Sequence, residues 1–199
     1  MRSFAALTPE RWPDVERLFG PRGASAGCWC MWWRLTRREF EERKGERNHG
    51  DFAAIVAAGR EPGVIAYEDG EPVGWCAVEP RSAYPSLNRS PVARPVDDQP
   101  VWAVPCIFVQ RSHRRRGLSV ALLEAACAHA AERGAPALEG YPLEPRTGAM
   151  PDAFAWTGTV AAFRAAGFEE VARHRPGRPV MRRALTRDGT KLSPPVRPA

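Results

Sequence analysis

Residues 101–133 read VWAVPCIFVQRSHRRRGLSVALLEAACAHAAER, and three regimes follow one another inside them. From Val101 to Val109 the run is almost wholly apolar and rich in β-branched and aromatic residues, which predicts a buried strand. Gln110 to Arg116 is polar and basic. From Gly117 onward, Leu118, Ala121, Leu122, Ala125 and Ala126 recur at i, i+3, i+4, i+7 and i+8, the period of a helix with one apolar face. The order is strand, basic loop, helix.

That order has a chemical consequence. The first amides of a helix have no intrahelical partner, and the aligned peptide dipoles place roughly half a positive charge at that end. Gly117 lets a ligand approach the backbone with no Cβ in the way, and Arg114, Arg115 and Arg116 add guanidinium groups suited to phosphate oxygens. The pattern predicts an anion site, although a solvated basic loop ahead of an ordinary helix accounts for the charges equally well.

Spacing favours the anion site. The segment Val109 to Ser119, VQRSHRRRGLS, resembles motif A of the GNAT superfamily of acyl-CoA-dependent N-acyltransferases, which reads Gln/Arg-x-x-Gly-x-Gly/Ala after a hydrophobic strand. Arg114, Gly117 and Ser119 hold its three places, Ser119 standing where Gly or Ala is usual. The resemblance implies that amides from Arg114 to Ser119, Leu118 included, cradle the pyrophosphate of acetyl-CoA with help from Arg115 and Arg116. It also implies that Ile107, Phe108 and Val109 pair with the pantetheine arm. A second segment, Ala162 to Phe168 (AFRAAGF), resembles motif B, Tyr-x-x-x-Gly-Phe, and puts Phe163 on the coenzyme side where the family often has tyrosine. The implied fold is α/β (α+β): a mixed, mostly antiparallel central sheet with a splay between its two central strands, flanked by helices. The resemblance covers residues 63–185. We expect one domain over 1–185 and a flexible tail over 186–199.

Composition agrees with a folded chain. Of 199 residues, 26% are charged and 44% hydrophobic, which argues against disorder. No run approaches the roughly 18 apolar residues of a membrane span, and MRSFAALTPERW lacks a signal-peptide apolar core, so the expected location is cytoplasmic with no membrane partner. Cys28, Cys30, Cys76, Cys106 and Cys127 are an odd set read as reduced thiols. Cys28-Trp-Cys30 is too tight for the usual zinc pair, so no metal is expected. The net charge of +6 permits nucleic-acid binding, yet an anionic coenzyme accounts for the 111–116 cluster as well as RNA would, and no nucleic-acid partner is expected.

Along the chain, Thr8-Pro9 opens a helix carrying Trp12, Val15, Leu18 and Phe19 up to Gly20. CWCMWWR (28–34) has no amphipathic period. It reads either as a buried strand or hydrophobic plug, or as an acceptor-pocket wall built from Trp29, Trp32 and Trp33. Short helices follow from Thr36 and, capped by Asn48, up to Gly59. Asp69-Gly70 predicts a hairpin joining strands 63–67 and 72–78. Proline-rich loops over 79–100 and 142–156 flank the deciding stretch and a strand, ALEGY (137–141). Thr159 to Ala166 reads as a helix, followed by strands 168–173 and 179–185.

Acyl transfer from a thioester to an amine needs a deprotonated amine, a donor for the oxyanion and a proton source for the departing thiolate. A backbone N–H of Ile107 to Val109 is the nominated donor. Glu139, an acid inside a short apolar strand, is the nominated base, with solvent exposure or an arginine partner as alternatives; Glu79 and Asp152 are weaker candidates. Tyr141 is nominated as the acid in place of the hydroxyl that Phe163 lacks, its alternative being a half-buried strand aromatic. His113 and His129 read as structural or solvent-facing, and Cys106 as core. The expected activity is direct N-acetylation, in a ternary complex, of a primary amine on a small molecule or chain terminus. Acetylation of charged tRNA and acyl-CoA binding without catalysis are the alternatives, and a homodimer is left open.

Overall fold

The computed structural model describes residues 1–144 and 156–186. In chain order it contains β1 (Arg2–Ala6), α1 (Trp12–Phe19), α2 (Arg37–Arg43), α3 (Glu46–Ala57), β2 (Gly63–Glu68), β3 (Glu71–Ala77) and β4 (Glu79–Pro80). These are followed by β5 (Trp102–Val104), β6 (Ile107–Val109), α4 (Leu118–Glu132), β7 (Ala137–Gly140), α5 (Val160–Ala165), β8 (Glu169–Arg175) and β9 (Arg178–Ala184). Most of the 142–156 loop, Asp152 in it, and the tail beyond Thr186 lie outside the described residues.

The strands form a sheet ordered β1-β2-β3-β6 and a second ordered β4-β5-β7-β9-β8. Every ladder is antiparallel except β5 with β7, so the mixed, mostly antiparallel arrangement expected from the sequence is present. The apolar run from 101 to 109, expected as one strand, is two. β5 pairs with β7 in one sheet and β6 pairs with β3 in the other. Pro105 stands at the break, where its missing N–H ends the ladder.

Two further elements differ from expectation. β1 was not read from the sequence, because Arg-Ser-Phe-Ala-Ala has little β-branched character; it is held by the edge of β2, from Arg2 opposite Glu68 to Ala6 opposite Val64. Asn48 does not cap α3, which starts behind Gly45; its buried amide donates to Gly27 O at 3.2 Å and ties the helix to the 23–27 turn.

Alternation along β2 and β3 divides the interior. Val64, Ala66 and Cys76 face Leu118, Leu122, Leu123, Ala126 and Ala130 of α4, and α5 adds Val160 and Phe163 to that layer. Ile65, Trp75 and Ala77 face the other way, against Val15 and Phe19 of α1, Phe52 and Val56 of α3 and the Trp29–Met31 plug. Gly74 lets α4 settle onto β3, since a Cβ there would lie 3.0 Å from Leu122 Cδ1. Among the described residues no helix is long and apolar enough to cross a membrane.

Gly140, the last residue of β7, is where packing is tightest. Phe163 is fully buried, and a Cβ on Gly140 or Gly158 would run into its ring. Gly140→Ala is therefore expected to lower unfolding free energy by about 1–3 kcal/mol in urea titration, and Phe163→Leu in the same chain should recover part of the loss.

Candidate active site

The strands part just past Val104 and Gly140, which are paired in parallel. β6 continues along β3, whereas the chain after Gly140 turns to residues 158–160: Leu143 N–H donates to Gly158 O at 3.0 Å and Val160 N–H to Leu143 O at 3.2 Å. A V opens between β6 and this second track. Its β6 wall has a defined polarity. Ala77 N–H donates to Cys106 O and Gln110 N–H to Val73 O, each at 2.9 Å, so residues 106, 108 and 110 direct their backbone groups at β3. Antiparallel pairing alternates, so the N–H and C=O of Ile107 and Val109 point away from β3, into the V.

The V leads into a cleft of about 690 Å³ that also reaches the start of α4. There Arg115 (φ 61°) and Gly117 (φ 74°) are both left-handed and turn the loop tightly into the helix. Nothing lies within 4 Å of where a Gly117 Cβ would sit. Val120 and Ala121 N–H both bond to Gly117 O, so the amides of Gly117, Leu118 and Ser119 are those the helix does not use. Arg114 folds the loop back on the strand, its Nε donating to Val109 O at 3.0 Å.

Of the residues nominated for the coenzyme, Ile107, Phe108, Val109, Arg114, Arg115, Gly117, Leu118 and Ser119 all line this cleft. Leu118 contributes backbone, because its side chain is buried under Gly74. Arg116 is not in the lining. It lies near Glu68, whose carboxyl is held below its usual range by Arg2 first and, more weakly, by His113 and Arg116. Phe163 is also outside the lining, packed edge-to-face on Phe168 at 4.9 Å. Gly158, Thr159, Ala161 and Ala162 form the opposite wall.

Glu139 and Tyr141 sit elsewhere. Both are buried on the sheet face away from α4, beneath the 81–99 segment. Glu139 accepts from Arg182 Nε at 2.9 Å and Nη2 at 2.6 Å and from Tyr141 Oη at 3.2 Å, with Arg81 Nη1 at 3.5 Å. Tyr141 Oη in turn accepts from Arg81. Burial, and then the Glu139 carboxylate, push the phenol well above its ordinary pKa, so it holds its proton more tightly. The carboxylate is a salt-bridge centre, the alternative with an arginine partner. Glu79 is paired likewise, with Arg34 and Arg60.

The tryptophans divide. Trp29 is core, 4.4 Å edge-on to His49, and touches a separate depression near Glu16. Trp33 Nε1 donates to Pro105 O at 3.2 Å, which places it at the break between β5 and β6. Trp32 and Trp33 meet Trp156 at 6.5 and 5.9 Å, and Trp156 lines the cleft. Trp156 was missed in the sequence because it falls in a stretch with no period. Cys106 packs against the plug and its thiol bonds to Cys30, which also accepts from Trp75 Nε1 at 2.9 Å. Among the described residues no three metal-capable side chains converge.

A family model described as acetyltransferase (GNAT) family matches residues 29–150. Solved structures of the same shape include a GNAT-family acetyltransferase from Listeria monocytogenes 4b F2365, with TM-score 0.54, 11% identity and coverage of 92% of this chain and 95% of that one. Another is the PaiA N-acetyltransferase from Thermoplasma acidophilum in complex with coenzyme A, with TM-score 0.50, 10% identity and coverage of 93% and 99%. At these identities the likeness establishes the fold. No curated protein sequence matches the chain.

The pairing of Glu139 sets a test. Glu139→Ala leaves Arg81 and Arg182 without their buried partner and is expected to cost about 3–5 kcal/mol of stability by chemical denaturation. A carboxylate held ready as a base in an open site would leave stability nearly unchanged.

Proposed function

The chain belongs to the acetyltransferase (GNAT) family, and on that premise we propose that it moves an acetyl group from acetyl-CoA to a primary amine of a small molecule or chain terminus. Transfer is direct, with both substrates bound together. One observation carries this reading: the outward amides of Ile107 and Val109 run into the same cleft as the unused amides of Gly117, Leu118 and Ser119. A ligand with an anionic head and an amide-bearing arm fits both. The coenzyme A bound by the Thermoplasma acidophilum neighbour supports acyl-CoA as that ligand.

When bound, acetyl-CoA supplies the activated acyl group. The chain's own part is positional. The start of α4 and Arg115 hold the pyrophosphate by dipole and charge-assisted hydrogen bonds. The amides of Ile107 and Val109 fix the arm, and one of them faces the carbonyl oxygen on which negative charge develops. Trp33 and Trp156 screen the inner end from water. Among the described nominees Glu139, Glu79 and Tyr141 are committed to arginines, and we assign proton removal from the amine to solvent.

That same commitment favours a second reading, acyl-CoA binding without transfer. Arg34, Arg60, Arg81, Arg173 and Arg182, arginines outside the coenzyme loop, are each engaged by carboxylates, which supports the small-molecule reading over acetylation of charged tRNA. Thiol release from acetyl-CoA across amino acids, polyamines, aminoglycosides and peptides separates the two. Release with at least one amine supports the enzyme, and calorimetric binding without release supports the binder. In either case Arg115→Glu should weaken coenzyme A binding by about 1.5–3 kcal/mol, the worth of one charge-assisted contact, and Arg116→Glu by clearly less. Equal, negligible effects would remove the pyrophosphate from this loop.

A further inference from the structure

Alternation along β9 puts Arg178, Val180 and Arg182 on the face that also carries Glu139 and Tyr141. On this face three carboxylates meet four arginines: Glu79 takes Arg34 and Arg60, Glu139 takes Arg81 and Arg182, and Asp97 takes Arg182. Arg178 is a fifth guanidinium, and no acid is left for it among the described residues. The carboxylate nearest along the backbone belongs to Glu144, whose N–H donates to Gly177 O at 2.9 Å. Its side chain turns instead to Arg173.

Arg178 is half-buried and makes one hydrogen bond, from Nη2 to the backbone oxygen of Tyr141 at 3.3 Å. Its Nε is sealed from solvent with no partner. Burial alone lowers its pKa, with no acid opposing it, whereas the pKa of Arg34 is held up by Tyr84 and then Glu79, and that of Arg182 by Asp97 and Glu139. A cation taken partly out of water without a counter-charge is a standing cost, and an arriving anion removes it.

Its place gives that anion an identity. Tyr141 is the first residue past β7, where the second track leaves the V. The Tyr141 side chain belongs to a cluster flanked by Trp33, and Trp33 touches both Pro105 O and Trp156 at the inner end of the cleft. Arg178, which is not itself in the cleft lining, is thus linked through Tyr141 to the parting of the strands and to the cluster that Trp33 flanks. We infer that Arg178 is a specificity-determining residue that pairs with a carboxylate on the amine acceptor, so that the acceptor class is amino acids or closely related amino-carboxylic acids. One guanidinium matches the single charge of a carboxylate, and the Nη groups not held by Tyr141 O are its donors. The inference rests on the acetyl-transfer reading and adds the acceptor's second functional group to it.

The test uses matched acceptors: the common α-amino acids beside their carboxamides, assayed by thiol release from acetyl-CoA with the full chain. The unsubstituted protein is expected to prefer the best acid over its amide by tenfold or more in kcat/KM. Arg178→Met should erase that preference by raising KM for the acid while leaving KM for the amide and the affinity for coenzyme A unchanged. Arg178→Lys, which keeps the charge, should restore part of it, and unchanged coenzyme affinity certifies that each variant is folded. Equal use of acid and amide, or an acid preference that survives in Arg178→Met, would overturn the inference and leave acetyl transfer standing. No thiol release with any amine would instead sink the transfer reading, and this inference with it.

Discussion

Two strands that run together through Val104 and Gly140 and then separate are the constraint from which the rest of the structure follows. Separation leaves one side of β6 without a strand partner, and backbone polar groups facing an apolar interior need partners. The chain does not supply them from a neighbouring strand; it leaves a cleft. Pro105 ends one ladder by lacking an N–H, and Gly140 and Gly158 make room for the Phe163 ring that wedges the second track aside. The left-handed turn through Arg115 and Gly117 then brings the opening of α4 to the same space. On the proposed reading, recognition of the coenzyme rests largely on main-chain amides, and Ser119 keeps its amide where the motif usually has Gly or Ala.

The opposite face has a different economy. Beneath the 81–99 segment, Glu79 and Glu139 are each gripped by two arginines, and Arg81 adds Tyr141 and the Ala93 carbonyl to its partners. Such a network contributes little net stability over a well-packed apolar floor, yet removing any one member is expensive. It fixes the geometry of the segment that lies over the sheet beside the parting strands. Rigid positioning of this kind suits a reaction whose rate comes from orientation and from fixed dipoles more than from an acid–base pair.

How far this was legible in the sequence depended on whether the signal was local. The strand, basic loop and helix of 101–133 could be read because periodicity, Gly117 and the arginine run are neighbours along the chain. The hairpin at Asp69-Gly70 and the Thr36 and Thr159 helix starts were local for the same reason. The division of the 101–109 run was not visible, since continuous apolarity suits one buried strand or two, and Pro105 was the available clue. Glu139 was singled out correctly as an acid in an apolar strand. Its role depended on Arg81 and Arg182, which lie 58 and 43 residues away in the sequence and gave no sign of pointing at it. Arg178 and Trp156 were invisible on the same ground: one is notable for a partner it lacks, the other for a wall completed by Trp32 and Trp33.

The central claim is that main-chain amides at two places, β6 and the start of α4, receive one ligand. Titrating coenzyme A into the isotopically labelled protein and following backbone amide resonances tests it directly. The account predicts saturable shifts at Ile107, Val109, Gly117, Leu118 and Ser119, with Phe108 much less affected because its N–H is committed to β3. Shifts that spare Ile107 and Val109, or that fall on Phe108 and its neighbours alike, would contradict it.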